Sequence, residues 1–252
     1  MSKKRLTGII IVCIVVIVVV VVATRPATGP FADANLEAAV REAIEIPQGP
    51  IYPADLETLT SLSAAGYGRK MISDLSGLEH CINLTELVLV QHEISDISPL
   101  ASLTNLTNLS LYRNQISDIS PIANLTSLGT LMLADNQITD ISPLANLTDL
   151  TVLFLSDNEI SDLSPLSTLT SLTGLYLWRN RISDISPLAN LTSLEWLYLW
   201  DNQISDVSPL VGNTDLGQGD TVYLMDNPLS EESFNVCIPE LEARGVTVYY
   251  QD

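Results

Sequence analysis

From Leu103 onward, apolar and polar positions follow one phrase that returns every 22 residues. In one copy the apolar positions are Leu103, Leu106, Leu109, Leu111, Ile116, Ile119 and Ile122. Leu109 and Leu111 are two apart, so both leave a short strand on the same side, and the residues flanking them point the other way. Copies stacked one on the next put these strands side by side in a parallel sheet, ~4.8 Å apart. A parallel sheet needs cover on its inner face. Ile116, Ile119 and Ile122 supply it from the far side of the same coil. The pattern predicts strand, tight turn, short helical turn and return, repeated to Leu210.

The polar positions are equally regular. Asn114, Asn136, Asn158, Asn180 and Asn202 each close the phrase at the end of the strand. There the chain turns inward and would bury unpaired backbone groups. A side-chain amide offers two donors and an acceptor, enough to satisfy the turn and link it to the next coil. These five are therefore expected to form a structural ladder. Ser-Pro follows at Ser98-Pro99, Ser120-Pro121, Ser142-Pro143, Ser164-Pro165, Ser186-Pro187 and Ser208-Pro209. Serine suits an N-cap and proline the first helical position, so each outer side should start a short 3₁₀ or α turn there. Aspartate lies two residues before each serine (Asp96, Asp118, Asp140, Asp162, Asp184, Asp206). It is expected to accept local backbone hydrogen bonds rather than bind calcium. The spacing is not that of an EF-hand loop.

A fixed period of this kind is the leucine-rich repeat signature. The phrase from Asn180 to Leu194 closely resembles the 22-residue repeat of internalin-like bacterial surface proteins. The likeness runs from about Phe31 to Leu210, and Phe31-x-Asp33-x-Asn35-Leu36-Glu37 looks like the start of that family's helical N-cap. The resemblance implies a curved, extracytoplasmic α/β solenoid, a right-handed coil with a concave parallel sheet, that binds another macromolecule. The sequence differs from the family in three respects. It carries its apolar segment at the N-terminus, and it shows neither an immunoglobulin-like module nor a sorting motif after the repeats.

Lys3, Lys4 and Arg5 precede an uncharged run from Leu6 to Thr24, apolar throughout from Ile9 to Ala23. As a helix this run spans ~28 Å, close to a bilayer core. Residues 1–24 therefore read as a signal-anchor with the N-terminus in the cytoplasm. The alternative is a signal peptide cleaved after Ala23, which would leave a secreted protein. Residues 25–30 are a linker. Residues 31–71 form the helical N-cap, in which Asp33 caps a helix bearing Leu36, Val40 and Ile44, and Pro53-Ala54-Asp55-Leu56 opens a second helix carrying Leu56, Leu59 and Leu62. Repeats occupy 72–211. Residues 212–252 are an irregular last coil and an α/β C-cap. Within it a helix starts near Ser230, is interrupted at Pro239 and stops at Gly245, before a closing strand at Val246–Tyr250. Caps are needed because end coils expose apolar surface and strand edges. His92 stands where the ladder has asparagine and can imitate the amide.

All 30 acidic residues follow Arg25, against seven basic ones, so that region carries about −23. This excludes a nucleic-acid surface and close contact with anionic headgroups, and it could steer a basic partner. Cys81 and Cys237 lie at opposite ends of the solenoid, too far apart to pair, and are expected as buried thiols. Asn83, Asn105, Asn108, Asn124, Asn146 and Asn190 match the N-glycosylation acceptor, a by-product of the Asn-Leu-Thr phrase.

Between the strand leucines lie Val88, Ser110, Met132, Phe154, Tyr176, Tyr198 and Tyr223, and one position after the second leucine lie Tyr112, Trp178 and Trp200. Trp196 precedes Leu197, and Arg179 adds rare positive charge beside Trp178. The core is already filled by leucine and isoleucine, so clustered aromatics on the outer face mark a recognition surface. Tyr112, Phe154, Tyr176, Trp178, Arg179, Trp196, Tyr198, Trp200 and Tyr223 are thus the candidate partner-binding residues. The partner would be a protein or a glycan, bound by a monomer without cofactor or metal. The competing readings are ring stacking that merely stiffens the sheet, a passive envelope spacer, and a carbohydrate-active enzyme. The last lacks support: His80 and His92 are the only histidines, and there is no nucleophile elbow, metal-ligand cluster or phosphate loop.

Overall fold

The computed structural model describes residues 30–68 and 71–250. The predicted membrane segment lies outside them, as do residues 25–29 of the linker. No helix among the described residues is long and apolar enough to cross a membrane. The described chain is a solenoid built on one nine-stranded parallel sheet whose strands run in chain order. The strands are β1 (Ser61–Ala65), β2 (Glu86–Val90), β3 (Asn108–Ser110), β4 (Thr130–Met132), β5 (Val152–Phe154), β6 (Gly174–Tyr176), β7 (Trp196–Tyr198), β8 (Thr221–Tyr223) and β9 (Thr247–Tyr249).

Each strand from β1 to β7 presents a leucine to a continuous core. Leu87, Leu109, Leu131, Leu153, Leu175 and Leu197 sit in direct register, and Val222 and Val248 extend the row. The isoleucines of the outer side close over them. Fully burying a side chain of this size contributes ~1.5–3 kcal/mol, so the repeated leucine and isoleucine rows dominate the stability of every coil.

The asparagine ladder has the expected chemistry with its direction reversed. Asn114 Oδ1 accepts from the Ile94 N–H at 3.2 Å, and its Nδ2 donates to the Leu89 and Leu111 carbonyls, both at 2.9 Å. Ile94 and Leu89 belong to the preceding coil, so each amide ties its turn backward rather than to the next coil. Asn136, Asn158, Asn180 and Asn202 repeat the pattern. Asn227 joins them although it follows Asn202 by 25 residues. His92 provides the acceptor half: its Nδ1 takes the Ile72 N–H at 3.2 Å. Its Nε2 is buried and makes no hydrogen bond.

What aims these amides inward is a backbone feature that residue patterning did not reveal. The residue before each ladder position (Gln91, Arg113, Asp135, Asp157, Arg179, Asp201, Asp226) has φ between 52° and 61°. Left-handed backbone is uncommon outside glycine, though aspartate tolerates it. The N–H groups of these turns still bond the neighbouring coil, as from Asp135 to the Ser156 carbonyl at 2.9 Å. The sheet's hydrogen bonding thus continues past the strand ends.

On the outer side, short 3₁₀ helices begin at the Ser-Pro pairs, and the last, α3 (Ser208–Gly212), is α-helical. The serine is not the cap. It is the first helical residue, and the residue before it, such as Ile97, takes the cap position without a side-chain bond. The aspartate does the capping: Asp96, Asp118, Asp140, Asp162, Asp184 and Asp206 each accept the serine N–H at 2.8 Å. These bonds hold the Asp118 and Asp184 carboxyls below the usual range.

The ends depart further from expectation. Helix α1 (Ala34–Ala43) is capped by Asp33 as predicted, with Leu36 and Val40 buried. The second helix, α2 (Pro53–Leu56), is only one turn. Leu59 follows it outside any helix, and Leu62 belongs to β1, whose alternation of exposed and buried residues pairs it with β2. A strand there satisfies the edge that a second helix would have left open. At the other end, Pro239 does not interrupt the helix. A π-helical stretch at Ser233–Cys237 leads directly into α4 (Ile238–Ala243), with the proline near its start. Cys81 and Cys237 are free and buried, and burial pushes the Cys81 thiol up to about 12.

Candidate functional site

Parallel, in-register strands place equivalent side chains one strand spacing apart, the distance at which planar rings stack. Register pairs Phe154 with Tyr176, Tyr176 with Tyr198, Tyr198 with Tyr223 and Tyr223 with Tyr249. Their ring centroids follow at 3.9, 4.8, 4.3 and 4.5 Å, with interplanar angles of 6° to 21°. Five rings thus form one unbroken column across the open face of the sheet. Tyr249, its end member, was not among the candidates. It lies in the predicted closing strand, but 26 residues past Tyr223 its register was hidden.

Trp178 and Trp200 form a second, shorter column, with centroids 5.8 Å apart and planes at 6°. The edge of Trp178 meets Tyr176 and Tyr198, each at 6.0 Å. Its Nε1 donates to the Asp157 carboxylate at 3.1 Å. Arg179 lies 5.1 Å over the Trp200 ring and 3.4 Å from both Asp157 and Asp201. These ion pairs are exposed and contribute little to stability. They hold the indoles and their acidic rim in one arrangement.

The structure therefore gathers Phe154, Tyr176, Trp178, Arg179, Tyr198, Trp200 and Tyr223 into one cluster. Tyr112 and Trp196 stand apart. The Arg113 guanidinium lies 5.8 Å from the Tyr112 ring centroid, and among the described residues neither Tyr112 nor Trp196 stacks on another ring. Exposure also differs from expectation. Tyr112 and Trp196 are 38% and 43% exposed, but the clustered rings are half-buried against one another. Stiffening of the sheet is thus a real part of what they do. Burial raises the Tyr176 phenol, and burial followed by the neighbouring Tyr198 raises that of Tyr223.

Where the rings stop, the face changes. The same row continues toward the N-terminus as Met132, Ser110 and Val88, and the next row has Ser156, Ala134 and Val90. These side chains leave a groove of about 520 Å³, lined also by Tyr112, which stands between Val90 and Ala134, and by Phe154 and Trp178 at the aromatic end. Glu86 and Asp157 also line it. Ser156, on its floor, is 1% exposed and its hydroxyl has no hydrogen-bond partner.

A separate cavity of about 460 Å³ lies between α1 and β1, lined by alanines, Glu42 and His92. Burial holds the His92 pKa below its ordinary value, with the Ala64 carbonyl and the Asp33 charge opposing. No group of three or more metal-ligating side chains occurs among the described residues.

Residues 104–146, 126–168, 148–190 and 170–212 match the family model described as Leucine Rich repeats (2 copies). No curated protein sequence matches the chain. Among solved structures, internalin C2 from Listeria monocytogenes is 36% identical, covers 88% of this chain and 95% of its own, and superposes with a TM-score of 0.77. Internalin F from the same organism is 28% identical over 92% of this chain and 94% of its own, with a TM-score of 0.41. The leucine-rich repeat ectodomain of a plant membrane receptor kinase from Arabidopsis thaliana, in complex with Casparian strip integrity factor 2, is 22% identical. It covers 80% of this chain and 26% of its own, with a TM-score of 0.58, and shares the fold. The chain belongs to the internalin-like leucine-rich repeat proteins.

Proposed function

We propose that this internalin-like chain is a non-catalytic binding module, held outside the cytoplasm by residues 1–24, that captures a protein partner on the aromatic half of its sheet. The observation that carries the reading is the pair of ring columns. The row between the core positions is aromatic from β5 to β9, and the row beside it is aromatic at Trp178 and Trp200, on the one face the core does not use. A spacer needs neither row. Pre-stacked rings lose little conformational freedom on binding, which favours them as anchors. The acidic rim beside Arg179 offers acceptors for a polar periphery. An enzyme has less support, since the open face brings together rings and rim carboxylates but no general base beside a nucleophile.

The test is crosslinking in intact cells from a photo-reactive residue in place of Tyr198. A protein partner captured from Tyr198, and lost when Trp200 is replaced by Ala, supports the reading. Capture of a glycan reassigns the ligand class, and absence of any capture favours the spacer. Location is tested by adding protease to intact cells. Digestion of the repeats before lysis is expected, and protection until lysis overturns the orientation.

A further inference from the structure

We propose that the groove beside the ring columns is a second subsite, which receives a basic, extended segment of a protein partner. The inference rests on the binding-module reading and concerns the half of the face that the aromatic residues leave empty. Three observations converge. The groove runs across β2–β5, three strand spacings or ~14 Å, which an extended chain spans with about four residues. Its volume of about 520 Å³ is in the range of built ligand sites, roughly 300–1,000 Å³.

Its charge has one sign. The groove's lining carries the carboxylates Glu86 and Asp157 and no lysine or arginine. Asp157 is already paired with Arg179 at 3.4 Å and accepts from Trp178, so Glu86 is the acceptor left for an occupant. The Glu86 carboxylate accepts one hydrogen bond, from the Ser61 hydroxyl at 2.9 Å, and pairs with no cation among the described residues. Tyr112 and Trp178 line it as well, the Tyr112 ring with Arg113 5.8 Å from its centroid and Trp178 stacked on Trp200 on one face, and Met132 and Ala134 give it apolar surface. Lysine or arginine matches this: an aliphatic stem for the apolar surface and a cation for Trp178 and the Glu86 carboxylate. The third observation is Ser156. A buried hydroxyl left without a partner is costly unless something supplies one. The hydroxyl is out of solvent's reach in the free protein, so an occupant gains it only as the side chain rotates toward the groove.

The test uses the purified full-length protein and three blocked hexapeptides, alternating leucine with lysine, glutamate or norleucine, titrated calorimetrically at low and high salt. The lysine peptide should bind at least ~10-fold more tightly than the glutamate peptide, with the difference shrinking as salt rises. Met132→Tyr extends the ring column into the groove by a residue type that the same register position already carries in four later coils, and it should abolish binding. Glu86→Gln, at an exposed position that leaves the fold unthreatened, should weaken binding several-fold and flatten its salt dependence. Far-UV circular dichroism checks that both variants fold. No binding of the lysine peptide, equal binding of all three peptides, or unchanged binding to folded Met132→Tyr overturns the proposal. A norleucine peptide that equals the lysine peptide shows an apolar site and overturns its basic character. If the subsite fails while Tyr198 still captures a partner in a Trp200-dependent way, the binding-module reading survives without it.

Discussion

The two halves of the sheet share one backbone and differ only in what stands on it. From β2 to β4 the row between the core positions reads Val88, Ser110, Met132. From β5 to β9 it reads Phe154, Tyr176, Tyr198, Tyr223, Tyr249. Core rows, the hydrogen-bonding ladder and left-handed turns run through both halves, with His92 replacing the amide in the β2 coil and Val222 and Val248 replacing the core leucine in β8 and β9. What the open face carries is therefore separable from the fold. A solenoid repeats its interior because each coil must fit its neighbour, and it can vary its open face coil by coil because nothing packs there. The half-buried columns qualify that separation. Where rings stack on rings, surface residues also join coils together, and the C-terminal half is expected to be the stiffer one.

The largest effect that would sharpen this contrast is on binding. Trp200→Ala should weaken capture of the partner about thirtyfold, ~2 kcal/mol, as loss of an aromatic anchor does. It should also lower the unfolding free energy by ~0.5–1.5 kcal/mol, because Trp200 stacks on Trp178. A melting temperature that collapses while affinity per folded molecule is unchanged would assign the column to structure alone.

A second test compares the ladder in the two halves by denaturant melts. Asn158 is 8% exposed and bonded to Leu133, Leu155 and Ile138. Asn158→Ala should cost ~1–3 kcal/mol by stranding those groups. Asn114 is less buried, and Asn114→Ala should fall at the lower end, near ~1 kcal/mol. The reverse order would break the link between burial and the aromatic half.

Ser156→Ala, at the boundary, removes a hydroxyl that the free protein leaves unsatisfied. It should be neutral or stabilising by up to ~1 kcal/mol. A clear destabilisation would mean that the hydroxyl is already bonded within the protein and takes no part in the groove.

The N-terminal coil differs from the rest through its histidine, and pH should reveal it. Burial lowers the His92 pKa in the folded state. The unfolded chain therefore takes up the proton first, and stability present above the ordinary imidazole pKa of ~6.5 is lost as pH falls toward the lower folded value. His92→Asn should flatten melting temperature against pH in that window, with no change at higher pH. An identical slope in both proteins would place the titration elsewhere. The smallest effect is the control: Gln137→Ala, on the exposed rim beside a ladder residue, should cost under ~0.5 kcal/mol.

Much of this molecule was legible without coordinates because a strict period repeats the same environment. The 22-residue spacing places Leu109 against Leu131 and Tyr176 against Tyr198 before any distance is measured. The core rows, the asparagine ladder, the outer turns and the side on which the aromatics stand all follow from that arithmetic and from period two in a strand.

Tertiary structure decided what depends on contact between coils rather than position within one. Which neighbour an amide reaches is set by the turn's left-handed residue, which no side-chain pattern announces. The spacing lengthens to 25 or 26 residues at the ends, so the strand at Ser61–Ala65 and the fifth ring at Tyr249 take their places only through pairing. Burial of the rings and the existence of the groove come from differences in volume between adjacent coils: tyrosine beside tyrosine closes the face, whereas serine and alanine beside tryptophan open it. A sequence names those residues one at a time. Packing them at strand spacing turns one stretch into a column and the other into a space.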